Sequence, residues 1–268
     1  MIELQAGPAY CSISEDAGAR LAILRVGDLD ILASRAVPDA DDERGDRMLW
    51  GSYPMLPWVG RIRNGQFTFD GVEYQMPVNL PPHAIHGTTF AAPWTVDSQD
   101  GRRAIFSIDL GHPWPFGGTA SQTIELSDGH LDCTLSLTAG DRAMPAQLGW
   151  HPWFVKPPAA LIRMGRMYVR DDVGIPTGEL VPTPPGPWDD CFVEPTDPIE
   201  LRFDGLTVTI SSDCDHWVVY DQPAHATCVE PQTGPPDGPN LAPVRLESGE
   251  TLSRSMRIAW RAPDQESS

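Results

Sequence analysis

Phe67-Thr68-Phe69-Asp70-Gly71-Val72-Glu73-Tyr74-Gln75-Met76 alternates apolar and polar side chains on both sides of one Asp-Gly pair. A period of two marks a strand with one buried face, and Asp-Gly accepts the positive φ angles of a type I′ turn. The stretch therefore predicts a hairpin. The same design recurs around Asp100-Gly101, with Trp94 and Val96 before it and Ile105 after it. It recurs at Asp128-Gly129, between Ile124/Leu126 and Leu131/Leu135/Leu137, and at Asp204-Gly205, between Leu201/Phe203 and Leu206/Val208/Ile210. Near the C-terminus, Leu252, Arg254, Met256, Ile258 and Trp260 fall on one strand face, with Arg254 breaking its apolar run. Little beyond the Asp-Gly pairs is shared among these hairpins, so they are not an internal repeat.

No long stretch carries a helical period of apolar residues. The 28 prolines and 24 glycines suit many turns and oppose long helices. Strands without helices must bury their apolar faces against another sheet. The expectation is an all-β fold, a large antiparallel β-sandwich, forming a single domain over residues 1–263. The Pro-rich stretches 182–187 and 231–243, and Pro157-Pro158, read as ordered loops, and Asp264–Ser268 as a disordered tail.

A net charge of −18 argues against binding a phosphate backbone, which requires clustered Lys and Arg. Lys156, the only lysine, lies beside two prolines and is a poor candidate for Schiff-base chemistry. The five cysteines are odd in number and contain no Cys-x-x-Cys pair, which fits neither a disulfide framework nor a zinc ribbon. The N-terminus shows no signal peptide, and no apolar run is long enough to span a bilayer. The expected setting is soluble and cytoplasmic, without nucleic-acid or membrane partners. Oligomeric state is left open.

Four separated stretches carry chemistry: Gly60-Arg61-Ile62-Arg63-Asn64-Gly65, His83-Ala84-Ile85-His86-Gly87, Gly149-Trp150-His151-Pro152-Trp153-Phe154 and Cys228-Val229-Glu230-Pro231-Gln232-Thr233. His151 lies among aromatic residues able to wall a pocket, and histidine exchanges a proton near neutral pH. Glu230 follows an apolar strand-like pair and precedes a Pro- and Gly-rich loop, a place for a carboxylate base. Arg61 offers a rigid fork of donors. Arg63, two residues on, would share a strand face with it. His83 reads as structural or as part of a rim.

In order and spacing these segments resemble the aldose 1-epimerases, the galactose mutarotase family. The resemblance spans roughly residues 50–240. It implies a mutarotase-type β-sandwich enzyme that interconverts the α and β anomers of a free aldose. By that resemblance Glu230 takes the proton of the C1 hydroxyl and His151 protonates the ring oxygen. The ring opens, the aldehyde turns about C1–C2, and the hydroxyl re-adds to the other face. Arg61 and His86 would hold the sugar.

Trp188-Asp189-Asp190-Cys191-Phe192 resembles the family's Asp-His-x-Phe segment. Counting back from Phe192 makes Asp189 the binding acid, with Asp190 the alternate. The implied reaction needs no cofactor and no metal, and no set of His, Cys and acidic residues has convincing ligand spacing.

The chain departs from the family where Gly60 replaces a usual Asn, where His86-Gly87-Thr88 replaces His-Gly-Gly, and where Val218 replaces a common glutamine. These departures bear on which sugar is bound. Rival readings are a hexose-6-phosphate epimerase, a non-catalytic sugar-binding module, and a glycosidase using paired carboxylates such as Asp189 and Asp190.

Overall fold

A computed structural model of the chain describes residues 1–34 and 48–262. The stretch 264–268, expected to be a disordered tail, lies outside the described residues. Two large antiparallel sheets dominate. The larger runs, in spatial order, through Ile2–Ala6, Ala9–Ser14, Arg20–Val26, Ser52–Met55, Gly149–Val155, Ala226–Gln232, His216–Tyr220, Asp189–Pro195, Met164–Arg170 and Pro176–Pro182. The smaller runs through Thr95–Gln99, Arg103–Asp109, Thr119–Leu126, His130–Thr138, Thr251–Arg261, Leu206–Ser212, Ile199–Phe203 and Ala159–Leu161. Such sheets facing each other form the expected β-sandwich.

The four hairpins form, but only one has the expected two-residue turn with both φ angles positive. Phe69 pairs with Val72, and Asp70 and Gly71 have φ of 50° and 75°. At Asp204-Gly205 only the glycine is left-handed. At Asp100 the turn is wider: its carboxylate accepts the backbone N–H groups of Arg102 and Arg103. An aspartate can close a turn with its side chain as well as with its backbone.

Alternation decides which residues enter the core. On Gly149–Val155, Trp150 and Phe154 pack into the main core between the sheets, whereas Trp153 joins a second cluster on the opposite face. Trp150 Nε1 donates to Gln122 Oε1 of the smaller sheet at 3.1 Å, and Gln122 Nε2 donates to the Ala19 carbonyl. This buried polar bridge fixes the sheets against each other. On Ala226–Gln232, Val229 faces the main core and Cys228 the second cluster. The larger sheet is thus apolar on both faces near its middle. Its outer face carries the cleft described below.

Candidate active site

The register of the larger sheet builds the site. Gly149 pairs with Gln232 and Trp153 with Cys228, which sets His151 opposite Glu230. His151 also pairs with Tyr53, and Glu230 with Val218. Tyr53, His151, Glu230 and Val218 therefore form one row across four strands. Trp153, Cys228, Tyr220 and Asp189 form the next row. Neighbouring strands lie about 4.8 Å apart, so a row brings side chains from distant sequence into contact.

A cleft of about 360 Å³ opens over these rows. That volume is at the lower end of the range typical for small-molecule sites, about 300–1,000 Å³. Arg61, His86, His151, Asp189 and Glu230 all line it, together with Tyr53, Trp153, Val218 and Tyr220. Asp190 does not: it pairs with Arg170 Nε at 2.7 Å, while Arg170 Nη1 donates to Asp189 Oδ2 at 3.1 Å. One arginine thus holds both acids and leaves Asp189 in the cleft. Of the aromatic residues that flank His151 in sequence, Trp150, Trp153 and Phe154, it is Trp153 that lines the cleft.

His151 Nε2 lies 3.4 Å from Glu230 Oε1, and both residues are buried. The imidazole lies between two rings, with Trp153 stacked at 5.2 Å and 9° and Tyr53 tilted at 4.9 Å. His86 meets it edge-on at 4.9 Å. Beneath Tyr53 lies the buried Arg20, its guanidinium 4.4 Å from the ring centre. Burial lowers the His151 pKa well below its usual value, with His86 and Arg20 adding to the effect. Burial raises that of Glu230 well above its usual value; Asp189 adds to this and Arg61 opposes it. Both groups are therefore pushed towards their uncharged forms. A neutral imidazole beside a carboxylic acid and an imidazolium beside a carboxylate hold the same single proton, so the two titrate as a pair.

His86 reaches the cleft through an unusual backbone. Its φ is 60° and that of Gly87 is 79°. A left-handed non-glycine residue costs about 1–2 kcal/mol, and such strain concentrates at functional sites. At Gly87 a β-carbon would lie 1.9 Å from the Leu56 carbonyl oxygen, so no side chain fits there. Burial and Arg61 push the His86 pKa down to about 3.

Arg61 is half-buried, and among the described residues its guanidinium makes no hydrogen bond or ion pair with the protein. The expectation that Arg63 shares its face fails because the strand covers only Arg61–Ile62. A tight turn at Arg63–Gly65 follows, and Arg63 swings away to pair with Asp171 at 2.5 Å. His83 is structural: its Nδ1 accepts the Asn64 backbone N–H. The loop after Glu230 is latched to this segment. Asp237 N donates to the Arg61 carbonyl at 2.6 Å, and the Asp237 carboxylate accepts the Arg63 N–H. Two groups that sequence reasoning missed, Tyr53 and Cys228, lie in strands buried on both faces, where alternation of residue type gives no signal.

Sequence spacing suggested no metal-ligand set, yet the fold converges one. The ligand atoms of His151, Cys228 and Glu230 all lie within 4.8 Å of one another. The two rows explain this: His151 and Glu230 are cross-strand neighbours, and Cys228 precedes Glu230 by two on the same face.

The aldose 1-epimerase family model matches residues 1–237. The chain belongs to that family. It is 28% identical over 116 residues to the uncharacterized protein YphB of Escherichia coli (strain K12), covering 41% of this chain and 39% of YphB. The chain thus spans about two fifths of the length of that curated relative.

Among solved structures, a galactose mutarotase-like protein from Clostridium acetobutylicum superposes with a TM-score of 0.82 at 20% identity, covering 97% of this chain and 94% of the other. A GalM/aldose epimerase homologue from C. elegans gives 0.82 at 18% identity, covering 97% and 98%. Both share the fold. No helix among the described residues is long and apolar enough to cross a membrane.

Proposed function

We propose that the protein is a mutarotase acting on a free aldose, with His151 and Glu230 as its acid–base pair. The observation that carries this reading is the 3.4 Å approach of His151 Nε2 to Glu230 Oε1 at the floor of a sugar-sized cleft. Glu230 takes the C1 hydroxyl proton while His151 delivers one to the ring oxygen. The C1–ring oxygen bond breaks and an aldehyde remains. Rotation about C1–C2 presents its other face, and the two proton transfers then run in reverse. The pair ends with the proton it began with, so no cofactor is consumed. Before ring opening the proton sits on His151; in the open-chain state it sits on Glu230. Burial favours the second arrangement and Arg61 the first. Burial is the larger influence, and Arg61 offsets only part of the preference for the uncharged pair.

Arg61, His86 and Asp189 are proposed to hold the sugar hydroxyls, and Trp153 to meet an apolar C–H face. Preference for a neutral aldose over its 6-phosphate is supported by two features. Arg63 is paired with Asp171 outside the cleft, and the charge of −18 opposes a dianion. NMR exchange rates for glucose, galactose and glucose 6-phosphate at low and moderate salt test this. The expected result is higher kcat/KM for a neutral sugar. A much higher value for the phosphate, falling with salt and lost in Arg63→Ala, would point to a phosphosugar epimerase.

A further inference from the structure

We propose that a soft divalent cation of the Zn²⁺ type binds His151, Cys228 and Glu230 at the floor of the cleft and reversibly blocks the acid–base pair. The blockade rests on the proposed function; the binding site does not.

Three observations carry the inference. The ligand atoms of the three residues lie within 4.8 Å of one another. All three residues are buried, on two adjacent strands whose register fixes their spacing. Two of them, His151 and Glu230, line the cleft, which provides a path of entry. Zinc takes imidazole nitrogen at about 2.0–2.1 Å, carboxylate oxygen at about 2.0–2.2 Å and thiolate sulfur at about 2.3 Å. Those lengths hold ligand atoms closer together than 4.8 Å, so the set must contract by roughly 1 Å, within reach of side-chain rotation.

Three protein ligands leave a fourth tetrahedral position, and here it would face the cleft. A nitrogen, a sulfur and a carboxylate oxygen suit zinc and disfavour Mg²⁺ and Ca²⁺, which prefer oxygen alone. Binding displaces the Cys228 thiol proton and the proton shared by His151 and Glu230. The resulting thiolate and carboxylate balance the two positive charges, so the buried complex is neutral and avoids the cost of an unpaired interior charge. With Nε2 of His151 and the Glu230 carboxylate on the metal, neither can exchange a proton with a sugar. Zinc is therefore an inhibitor of the proposed reaction, not its cofactor.

The test uses the full chain, stripped of metal, with Co²⁺ as the spectroscopic probe and Zn²⁺ as competitor. The expected result is one tight Co²⁺ site with a thiolate-to-cobalt charge-transfer band and tetrahedral visible bands, all abolished by Zn²⁺. Cys228→Ala keeps a small apolar side chain in its cluster and is expected to remain folded and to anomerise sugar. It should lose the charge-transfer band and bind zinc more weakly by at least the about 10–100-fold that loss of an outer-shell partner costs. Zinc at saturation should suppress wild-type anomerisation by at least about 10²-fold, the lower end of what one positioned general acid or base contributes. A chelator should restore the rate, and Cys228→Ala should need at least about tenfold more zinc for the same effect.

A folded wild type without the charge-transfer band, or equal zinc affinity in Cys228→Ala, would overturn the site. Tight binding with an undiminished rate would overturn the blockade. A metal-free protein with no anomerisation on any aldose would count against the proposed function, while the cobalt spectrum would still decide the site.

Discussion

A β-carbon on Gly60 would sit 2.7 Å from the Pro236 ring, so the loop after Glu230 packs this closely against residue 60 in the cleft wall because that residue has no side chain. Gly60 is also left-handed, with φ of 57°. Gly60→Ala is therefore expected to cost about 1–2 kcal/mol for the backbone alone, with the Pro236 clash in addition. Gly60→Asn escapes most of the backbone cost but not the clash. Pro236→Gly should relieve the clash, giving a coupling of at least about 0.5 kcal/mol in a double-mutant cycle measured by denaturation. Additive losses would show that the two residues do not press on each other.

His86 predicts an acid-side loss of stability. Its folded pKa is about 3 against an ordinary 6.5, so the unfolded chain binds this proton first. Stability is then unaffected by this group above about pH 6.5 and falls as pH drops from there towards 3, by up to about 1.4 kcal/mol per pH unit. Unfolding free energy measured between pH 7 and pH 4 should decline more gently in His86→Asn than in the wild type. Parallel curves would mean that His86 takes up its proton as readily in the folded protein as in the unfolded chain.

Arg61 and Asp189 are expected to act on sugar affinity. Each makes charge-assisted hydrogen bonds in the proposed complex, and losing one typically costs about 1.5–3 kcal/mol, or roughly 10–150-fold. Arg61→Ala and Asp189→Asn should lower kcat/KM by that order, with much of the change in KM. Arg170→Ala should resemble Asp189→Asn, because Arg170 holds the Asp189 carboxylate in the cleft. Asp190→Asn should have the smaller effect, since Asp190 does not line the cleft. The reverse ranking of the two acids would move the binding role to Asp190.

Chelation is expected to leave anomerisation intact, because the proposed proton transfers need only His151 and Glu230. Dialysis against EDTA followed by rate measurement checks this. Loss of activity that added metal restores would contradict the metal-free reaction.

The strands were legible in the sequence because one-sided burial imposes a period of two, as in Gln66–Phe69 and Thr251–Arg261. Their spatial order was not. Nothing in Gly149–Val155 or Ala226–Gln232 says that these strands lie side by side, and that adjacency makes His151 and Glu230 a pair. Only resemblance to a family linked them beforehand. Arg63 was misread because a two-residue strand looks, in sequence, like the start of a longer one. Cys228 was passed over because its partners come from the fold and not from its own neighbourhood. The choice between Asp189 and Asp190 was one of register; in the structure Asp189 lines the cleft, opposite Tyr220, and Arg170 holds both acids.

The most direct test of the central claim is NMR anomer exchange on purified wild type, Glu230→Gln and His151→Asn with the preferred neutral aldose. Each substitution should leave the fold intact and reduce kcat by about 10²–10⁴-fold, the usual contribution of a positioned acid or base. Near wild-type exchange in either folded variant would contradict the assignment of this pair as the one that opens and closes the sugar ring.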